Sequence, residues 1–439
     1  MNNVLVLGAG LVTKPIVKYL LNLGTVKVTV ASRTVSKAEA LIENHPNGKA
    51  VAIDVKNDID LEEIVKLNDI IISLLPYTFH VKVAGYCLKY LKHLVTTSYV
   101  SAAMQSLNEE AASKGLLFLN EIGLDPGIDH MSAMKIIDEV KAKGGRVISF
   151  ESICGGLPAP EANDNPFGYK FSWSPRGVVM AGRNNAHFLR NDEDVIIEGK
   201  NLFKNFWYKE VESLGKLEVY PNRDSLIYKQ LYGLKDAKTI FRGTFRNIGW
   251  CDTIFNISHL GFLDDTLKIE LKDKTLAEIT ASLISTKNVD NIKNEIAAKL
   301  ELSVEDEVIK KLEWLGLFSG EKTSSDPTYL DILANRMLEK MPYKPGERDM
   351  IVLQHDFIAE YNNKKEHITS LLIDYGIPYG DTSMARTVSL PAAIAVKLII
   401  EKRINSIGVQ IPVIPEIYLP VMEELESMNI KFKESIKEF

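Results

Sequence analysis

A short apolar run, Val4 to Leu7, feeds directly into Gly8-Ala9-Gly10-Leu11-Val12-Thr13, and the spacing of Ile16, Val17, Tyr19 and Leu20 that follows is helical. A strand, a glycine turn and a helix in that order confine the chain to few folds. Glycine allows a tight turn and lets backbone N–H groups approach a pyrophosphate at the positive end of the helix. Gly8, Ala9, Gly10, Leu11 and Val12 are therefore candidate cofactor contacts. Thr13 stands where the third glycine of the usual fingerprint would be, so the turn alone also admits a purely structural reading.

Val26 to Ala31 reads as the next strand, and it ends in Ser32-Arg33-Thr34 with no acidic residue. An Asp or Glu there would bond the adenosine ribose hydroxyl and repel a 2′-phosphate, whereas Arg33 can pair with that phosphate. This favours NADP over NAD, unless Arg33 is only a solvated surface residue. Further strands are expected at Ala50 to Ile53, Ile70 to Leu75, Leu94 to Thr97 and Leu116 to Leu119, separated by helical segments. The alternation predicts an α/β fold, a Rossmann-type doubly wound parallel sheet with right-handed crossovers. In that topology the strand ends Asp54-Val55, Pro76 to His80, Thr97-Ser98-Tyr99 and Asp125 converge on one crevice.

After the last of these strands comes Asn120-Glu121-Ile122-Gly123-Leu124-Asp125-Pro126-Gly127-Ile128-Asp129-His130, where glycines and proline stop the strand abruptly. Helical spacing then runs through Met131, Met134, Ile137 and Val140. Asp125 at this junction is either a helix cap or a carboxylate facing a ligand. Ser98 has the same two readings, as a cap or as a donor to an anion, and Tyr99 offers a phenol beside it.

A chain of 439 residues is expected to hold two or three domains. Its 52 basic and 58 acidic residues give a formal charge of −6, which argues against nucleic acid as a general partner. Cys87, Cys154 and Cys251 suggest neither a disulfide framework nor a thiolate metal site, and no His/Cys cluster has metal spacing. His80, His130 and His355 are read as packed or surface residues. No apolar segment approaches the roughly 20 residues of a membrane span, and the N-terminus reads as a strand instead of a signal peptide. A cytoplasmic protein without a membrane partner is the expectation.

The middle of the chain changes character. Phe150 to Cys154 reads as a strand, and Gly155-Gly156-Leu157-Pro158-Ala159-Pro160-Glu161 as a loop too rich in Gly and Pro for regular structure. Lys170, Ser172, Trp173, Ser174 and Arg176 precede a helix expected over 177–188. Tyr220 to Ser225 and Arg242 to Arg246 bring arginines into turns or strand ends, as solvated side chains or as forks for carboxylates. The stretch from about 253 to 341 looks helical, with stripes at Leu276 to Ile284 and Val308 to Leu317. Asp349 to Tyr361 and His367 to Tyr375 resume strand character, with Asn362-Asn363 suggesting a hairpin, and Met384 to Glu401 is a long apolar helix. Ile411 to Pro415 is read as a loop into a final helix-containing segment that returns to the first domain.

Taken together, GAGLVTKP, ASRT, PYTFH, TSY, NEIGLDPGIDH, CGGLPAPE, GYKFSWSPRG, YPNRDS, RGTFR, WLGLF and ERDMIVLQH resemble the saccharopine dehydrogenase family of the glutamate-forming type, over nearly the whole chain. The resemblance implies a dinucleotide domain of residues 1–127 plus about 388–439, a mixed α/β substrate and dimerisation domain of 128–252 plus about 346–387, and a helical insertion of 253–345. It implies NADP, or NAD in some relatives, a homodimer, and interconversion of saccharopine with glutamate and aminoadipate semialdehyde in lysine metabolism.

By the same resemblance Asp125 is the leading acid/base residue, assisted by Tyr99 and Cys154. The substrate positions fall on Ser98, Tyr99, Asp125, Arg223, Thr244, Phe245 and Arg246, where Phe245 replaces the leucine expected from relatives. The cofactor positions fall on Ala9 to Val12, Ser32, Arg33, Thr34, Asp54, Val55, Thr97, Ser98, Leu124, Asp125 and Pro126, with Ser172 or Ser174. Cys154 is otherwise a small buried residue. Two alternatives stay open: another imine-reducing dehydrogenase, such as one making carboxynorspermidine, and a noncatalytic NADP-binding sensor. A polyamine substrate would call for acids in the pocket, and Arg223, Arg242 and Arg246 weigh against it.

Overall fold

A computed structural model describes residues 1–323, 328–362 and 364–439 of the chain. It divides into two compact units, the first comprising Met1–Arg146, Ala359–Lys365 and Leu372–Ser435, the second Val147–Ile358, Glu366–Leu371 and Ile436–Phe439.

The first unit is a seven-stranded parallel sheet in the order Gly408–Gln410, Leu117–Leu119, His93–Thr96, Ile70–Ser73, Asn2–Leu7, Val26–Ser32, Gly48–Ala52. The chain moves outward through its first three strands, then crosses to the other side of Asn2–Leu7 for the next three. This reversal is the switch point beside which doubly wound sheets bind ligands. The strands read as near-continuous apolar runs because helices cover both faces. Leu5, Leu7, Ile71, Leu94 and Phe118 are fully buried in one core cluster, each such side chain contributing about 1.5–3 kcal/mol by leaving water. All six strands expected in this region form, within a few residues of the expected ends. The tail adds a seventh, with Gly408–Gln410 paired to Leu117–Leu119.

The expected boundary at residue 127 falls at the start of the helix Ile128–Ala142, which belongs to the first unit. The helix Pro415–Ser427 packs on it, and Tyr418 donates to Asp138 at 2.7 Å. The long helix Ser383–Ile400 corrects another expectation: it is long and apolar enough to cross a membrane by length and composition. It is 72% buried within the protein, so its apolarity reflects burial on all sides.

The second sheet is mixed, with the order Trp207–Val211, Gly215–Pro221, Thr239–Arg246, Arg146–Pro158, Asp349–Glu360, Lys365–Tyr375, Lys433–Glu438, and Ala186–Arg190 with Glu193–Ile197 attached; its first three strands lie wholly in the second unit. The hairpin turn expected at Asn362-Asn363 includes Asn363, which lies outside the described residues. Between Thr239–Arg246 and Asp349–Glu360 the described residues form helices and short 3-10 turns, among them Trp250–Leu260, Leu276–Leu283, Glu307–Leu315 and Tyr329–Lys340.

Two local expectations fail here. Gly155 to Pro158 is not a loop but the end of the strand Arg146–Pro158. A Cβ at Gly155 would lie 2.7 Å from the Cβ and the carbonyl oxygen of Phe245, so this glycine permits a close approach between neighbouring strands instead of breaking one. The helix expected over 177–188 is shorter, Pro175–Ala181, and Ala186–Arg190 is a strand. Phe188 there packs edge-on against Phe241, the ring centroids 5.2 Å apart, and that tertiary contact outweighs local helical spacing.

Candidate active site

In the first unit, the strand Asn2–Leu7 runs into the glycine turn and then the helix Lys14–Asn22. Gly8 has φ +110°, and a Cβ there would meet the carbonyl oxygen of Leu74 at 2.9 Å, so only glycine fits where the turn crosses the neighbouring strand. At Gly10 a Cβ would meet open space, and Gly10 and Leu11 are exposed. Thr13 takes the third glycine's place by turning inward: it is fully buried, and its Oγ1 accepts the Gly10 N–H at 3.0 Å. The turn keeps its shape without that glycine, and its open side fits a pyrophosphate at a helix start.

The parallel register sets Leu7 beside Ala31, so Ser32, Arg33 and Thr34 emerge next to the turn. Arg33 and Thr34 are exposed, and the Ser32 Oγ accepts the Thr34 N–H at 3.3 Å. Asp54 accepts the Lys56 N–H, and the Val55 carbonyl accepts from Lys82 at 2.9 Å. These placements suit a dinucleotide carrying a 2′-phosphate against Arg33.

On the other side of the switch point, the loops leaving His93–Thr96 and Leu117–Leu119 lie together because Val95 is paired with Leu119. The Tyr99 hydroxyl donates to Asp125 Oδ1 at 2.9 Å. Asp125 is not the helix cap, since Gly127 occupies that position and Asp129 Oδ1 accepts the Gly127 and His130 N–H groups. Ser98 is not a cap either, because Ser101 caps Ala102–Gln105 and accepts the Met104 N–H at 3.1 Å. Ser98 instead meets His80 Nε2 at 2.9 Å, and His80 Nδ1 meets Ser73 Oγ at 2.9 Å. Leu124 and Pro126 are buried on either side of Asp125, and Thr97 packs on Gly123.

The same loops are clamped by Glu121. Its N–H donates to the Ser98 carbonyl at 3.1 Å, its Oε1 accepts the Val100 N–H at 2.8 Å, and its Oε2 meets His130 Nε2 at 2.7 Å. His130 and His80 are buried, as the sequence suggests, but both are built into this frame.

The second unit carries the remaining candidates on Thr239–Arg246. Side chains alternate along a strand, so Arg242, Thr244 and Arg246 share one face and Phe241 and Phe245 the other. Thr244 is paired with Cys154 on one side and with Tyr220 on the other. Arg242 and Arg246 are 3% and 4% exposed, against the usual fate of arginine. Arg242 lies 5.1 Å from the Tyr228 ring. The guanidinium of Arg246 sits 5.1, 5.8 and 5.4 Å from the rings of Tyr169, Tyr220 and Trp250.

Arg246 Nη1 donates to the Phe245 carbonyl, and its Nε has no hydrogen-bond partner among the described residues. Glu218, paired opposite Arg246 in the sheet, gives its oxygens to the Gly249 and Cys251 N–H groups at 2.6 and 2.8 Å. The Cys251 thiol is pushed up by burial and by Glu218, which removes it as a nucleophile. Phe245 is fully buried on the opposite face, leaving its backbone as the part available to a ligand. Arg223 is exposed with φ +58° in the turn after Gly215–Pro221. Ser174 accepts the Gly177 N–H at 3.2 Å as the cap of Pro175–Ala181, while Ser172 is buried.

Sequence reasoning did not single out Tyr169, Tyr220 and Trp250 as the cage of Arg246, nor His80 as the partner of Ser98. Tyr169 and Tyr220 lie within GYKFSWSPRG and YPNRDS, but no spacing in the sequence connects them to position 246. Among the described residues no cluster of three metal-ligating side chains occurs.

Residues 4–119 match the saccharopine dehydrogenase NADP binding domain, and residues 123–430 the saccharopine dehydrogenase C-terminal domain. The chain is 42% identical over 447 residues to the saccharopine dehydrogenase [NADP(+), L-glutamate-forming] of Schizosaccharomyces pombe, covering 99% of each. It is 41% identical over 441 residues to the protein of the same name from Saccharomyces cerevisiae, covering 97% of this chain and 96% of the other. The solved structure of the apo, histidine-tagged Saccharomyces cerevisiae saccharopine dehydrogenase (L-Glu forming) matches with a TM-score of 0.89 at 39% identity, covering all of both chains. With both halves of the chain matched and the likeness running end to end, this chain belongs to the saccharopine dehydrogenase family.

Proposed function

We propose that the chain is an NADP(H)-dependent oxidoreductase of lysine metabolism that interconverts saccharopine with L-glutamate and 2-aminoadipate 6-semialdehyde. The observation that carries this is Arg246: a buried cation caged by three aromatic rings, bonded to no carboxylate among the described residues, with its Nε unsatisfied. A buried guanidinium in that state suits an anion that arrives with the substrate. Saccharopine carries three carboxylates, and a polyamine would gain nothing from this residue.

NADPH supplies the hydride for the imine carbon, and NADP+ accepts it in the reverse direction. The chain's residues bind, orient and move protons. Arg246 and Arg223 hold carboxylates, Ser98 adds a hydroxyl donor, and Thr244 and the Phe245 backbone complete the substrate contacts. Asp125, with Tyr99 as its hydrogen-bond partner, moves protons as glutamate's amine adds to the aldehyde, the carbinolamine loses water, and the imine becomes a secondary amine. In the oxidative direction the same groups help water add to the imine before it separates into aldehyde and amine. Cys154, beside Thr244, assists these transfers.

The cofactor contacts are Gly8 to Val12, Ser32 to Thr34, Asp54, Val55, Thr97, Ser98 and Leu124 to Pro126, with Ser174 or Ser172. NAD is the weaker cofactor because Arg33 replaces the acidic residue an NAD site uses. A cytoplasmic setting belongs to this reading, since three cysteines in no disulfide suit a reducing compartment. So does a homodimer with neither a nucleic-acid nor a membrane partner, which sedimentation at several concentrations tests. The direct test of function is NADPH oxidation followed at 340 nm. It proceeds when glutamate and the semialdehyde are both present and stops when either is left out; nucleotide binding without turnover would favour the sensor.

A further inference from the structure

Ser73, His80 and Ser98 form a chain of contacts for which the proposed reaction has no use as yet. His80 opens the helix His80–Tyr90 and is 4% exposed. Its Nδ1 lies 2.9 Å from Ser73 Oγ, and its Nε2 lies 2.9 Å from Ser98 Oγ and 3.2 Å from Thr96 Oγ1. Burial pushes its pKa down to about 4, so at neutral pH the ring carries one proton and must donate from one nitrogen and accept at the other.

Ser73 decides which. It is fully buried, and Nδ1 of His80 is the one partner of its hydroxyl among the described residues. Were Nδ1 the donor, the Ser73 hydrogen would be a buried donor with no acceptor, an expensive arrangement. The nearer Ser73 O–H, at 2.9 Å, therefore donates to Nδ1, the ring proton sits on Nε2, and Nε2–H donates to Ser98 Oγ at 2.9 Å in preference to Thr96 Oγ1, which lies at 3.2 Å and already accepts the Ser98 N–H. A serine oxygen that accepts this bond keeps its own hydrogen to donate elsewhere. Its backbone is already fixed by Glu121, whose N–H donates to the Ser98 carbonyl and whose Oε1 accepts the Val100 N–H. A hydroxyl that accepts from the imidazole must turn its own hydrogen away from the ring, which narrows the directions open to the Ser98 O–H.

We propose that His80, held by Ser73, is a positioning residue that presents the Ser98 O–H to a carboxylate of the substrate. This rests on the function proposed above. A substrate carboxylate is preferred to a cofactor phosphate because Ser98 is followed by Tyr99, which bonds Asp125. The glycine turn and Arg33, in contrast, lie across the strand Ile70–Ser73 in the sheet order.

The test uses the full chain with His80→Leu, His80→Gln, Ser98→Ala and the double variant His80→Leu/Ser98→Ala. Glutamine can accept from Ser73 through its oxygen and donate to Ser98 through its nitrogen. H80L should raise KM for saccharopine about tenfold, as loss of one oriented bond to a charged group does. Its kcat and its NADPH Kd, read by fluorescence, should stay within about twofold. H80Q should restore most of the loss, and the double variant should be no worse than S98A alone, because both changes remove one interaction. Additive losses, an H80Q no better than H80L, or an NADPH Kd that moves in step with KM would overturn the proposal. If H80L does not fold, H80Q and S98A decide: near-normal KM in the first with raised KM in the second supports it, and an unmoved KM in S98A overturns it. A wild-type chain that does not oxidise saccharopine would overturn the underlying reading and this role with it, whereas normal wild-type turnover beside an unmoved S98A removes His80 alone.

Discussion

The Tyr99 hydroxyl donates to Oδ1 of Asp125 over 2.9 Å, joining two residues that leave the sheet from different strands. The contact follows from the pairing of Val95 with Leu119, which makes the two exits neighbours. A carboxylate that takes a hydrogen bond from a phenol is held in one orientation, as an acid/base residue requires.

Asp125→Asn separates these roles. The amide oxygen still accepts from Tyr99, so the loop keeps its shape, but the group no longer carries a proton. In the proposed reaction kcat should fall at least roughly a hundredfold, with NADPH affinity little changed. Tyr99→Phe leaves the carboxylate and loses its guide, and a smaller fall of about tenfold is expected. Steady-state kinetics in the saccharopine-oxidising direction check both, and a D125N enzyme with wild-type kcat would remove Asp125 from the chemistry.

Arg246 is tested by a change that keeps its charge. Lysine at this position lacks the planar fork and stacks poorly within Tyr169, Tyr220 and Trp250. Arg246→Lys should raise KM for saccharopine by about tenfold or more, which is ~1.4 kcal/mol of binding, with kcat reduced less. Equal KM in the variant and the parent would mean that this guanidinium serves the core and not the substrate.

The first unit was readable from sequence because its rules are local. Apolar runs four to six residues long, each followed by helical spacing, leave one sensible topology, and the glycine turn marks where the ligand goes. The second unit was less so, for a physical reason visible at Gly155 and Arg246. Gly155 looks like a strand breaker, yet it lies in a strand because Phe245 on the neighbouring strand leaves no room for a Cβ. Arg246 looks like a surface residue, yet it is buried because rings from positions 169, 220 and 250 close around it. Both depend on partners distant in sequence, and no window of local pattern contains them. Family resemblance pointed to Arg246 without supplying its cage.

Arg33 tests the cofactor. It is exposed at the end of Val26–Ser32, next to the glycine turn. Exchange of its charge by Arg33→Asp should repel the 2′-phosphate and offer the ribose hydroxyls an acceptor. The ratio of kcat/KM for NADP+ over NAD+ should drop by about a hundredfold, since both effects favour NAD+ and each is worth ~1–2 kcal/mol. The fold should be untouched, with Tm within about two degrees, because the residue is solvated. A ratio that does not move would assign the 2′-phosphate to other residues.

His80 also makes the stability of the first unit depend on pH, and the sign can be worked out. Burial lowers its folded-state pKa to about 4 from an ordinary value of 6.5. Above pH 6.5 the ring is neutral in both states and contributes no pH dependence. As pH falls from 6.5 towards 4 the unfolded chain binds a proton that the folded chain does not, so stability is lost across that window and the loss levels off below it. The full shift corresponds to about 3 kcal/mol, since each pKa unit is ~1.4 kcal/mol. His80→Gln has no proton to bind and should lack this component. Urea unfolding of the two proteins at pH 7, 5.5 and 4.5 isolates it, because the carboxylates that also titrate are common to both and cancel in the difference. The variant should gain on the parent by roughly 2 to 3 kcal/mol between pH 7 and 4.5. A difference that stays flat would mean that the folded protein tolerates a charged imidazole at this position, and the single-proton ring between Ser73 and Ser98 would have to be abandoned.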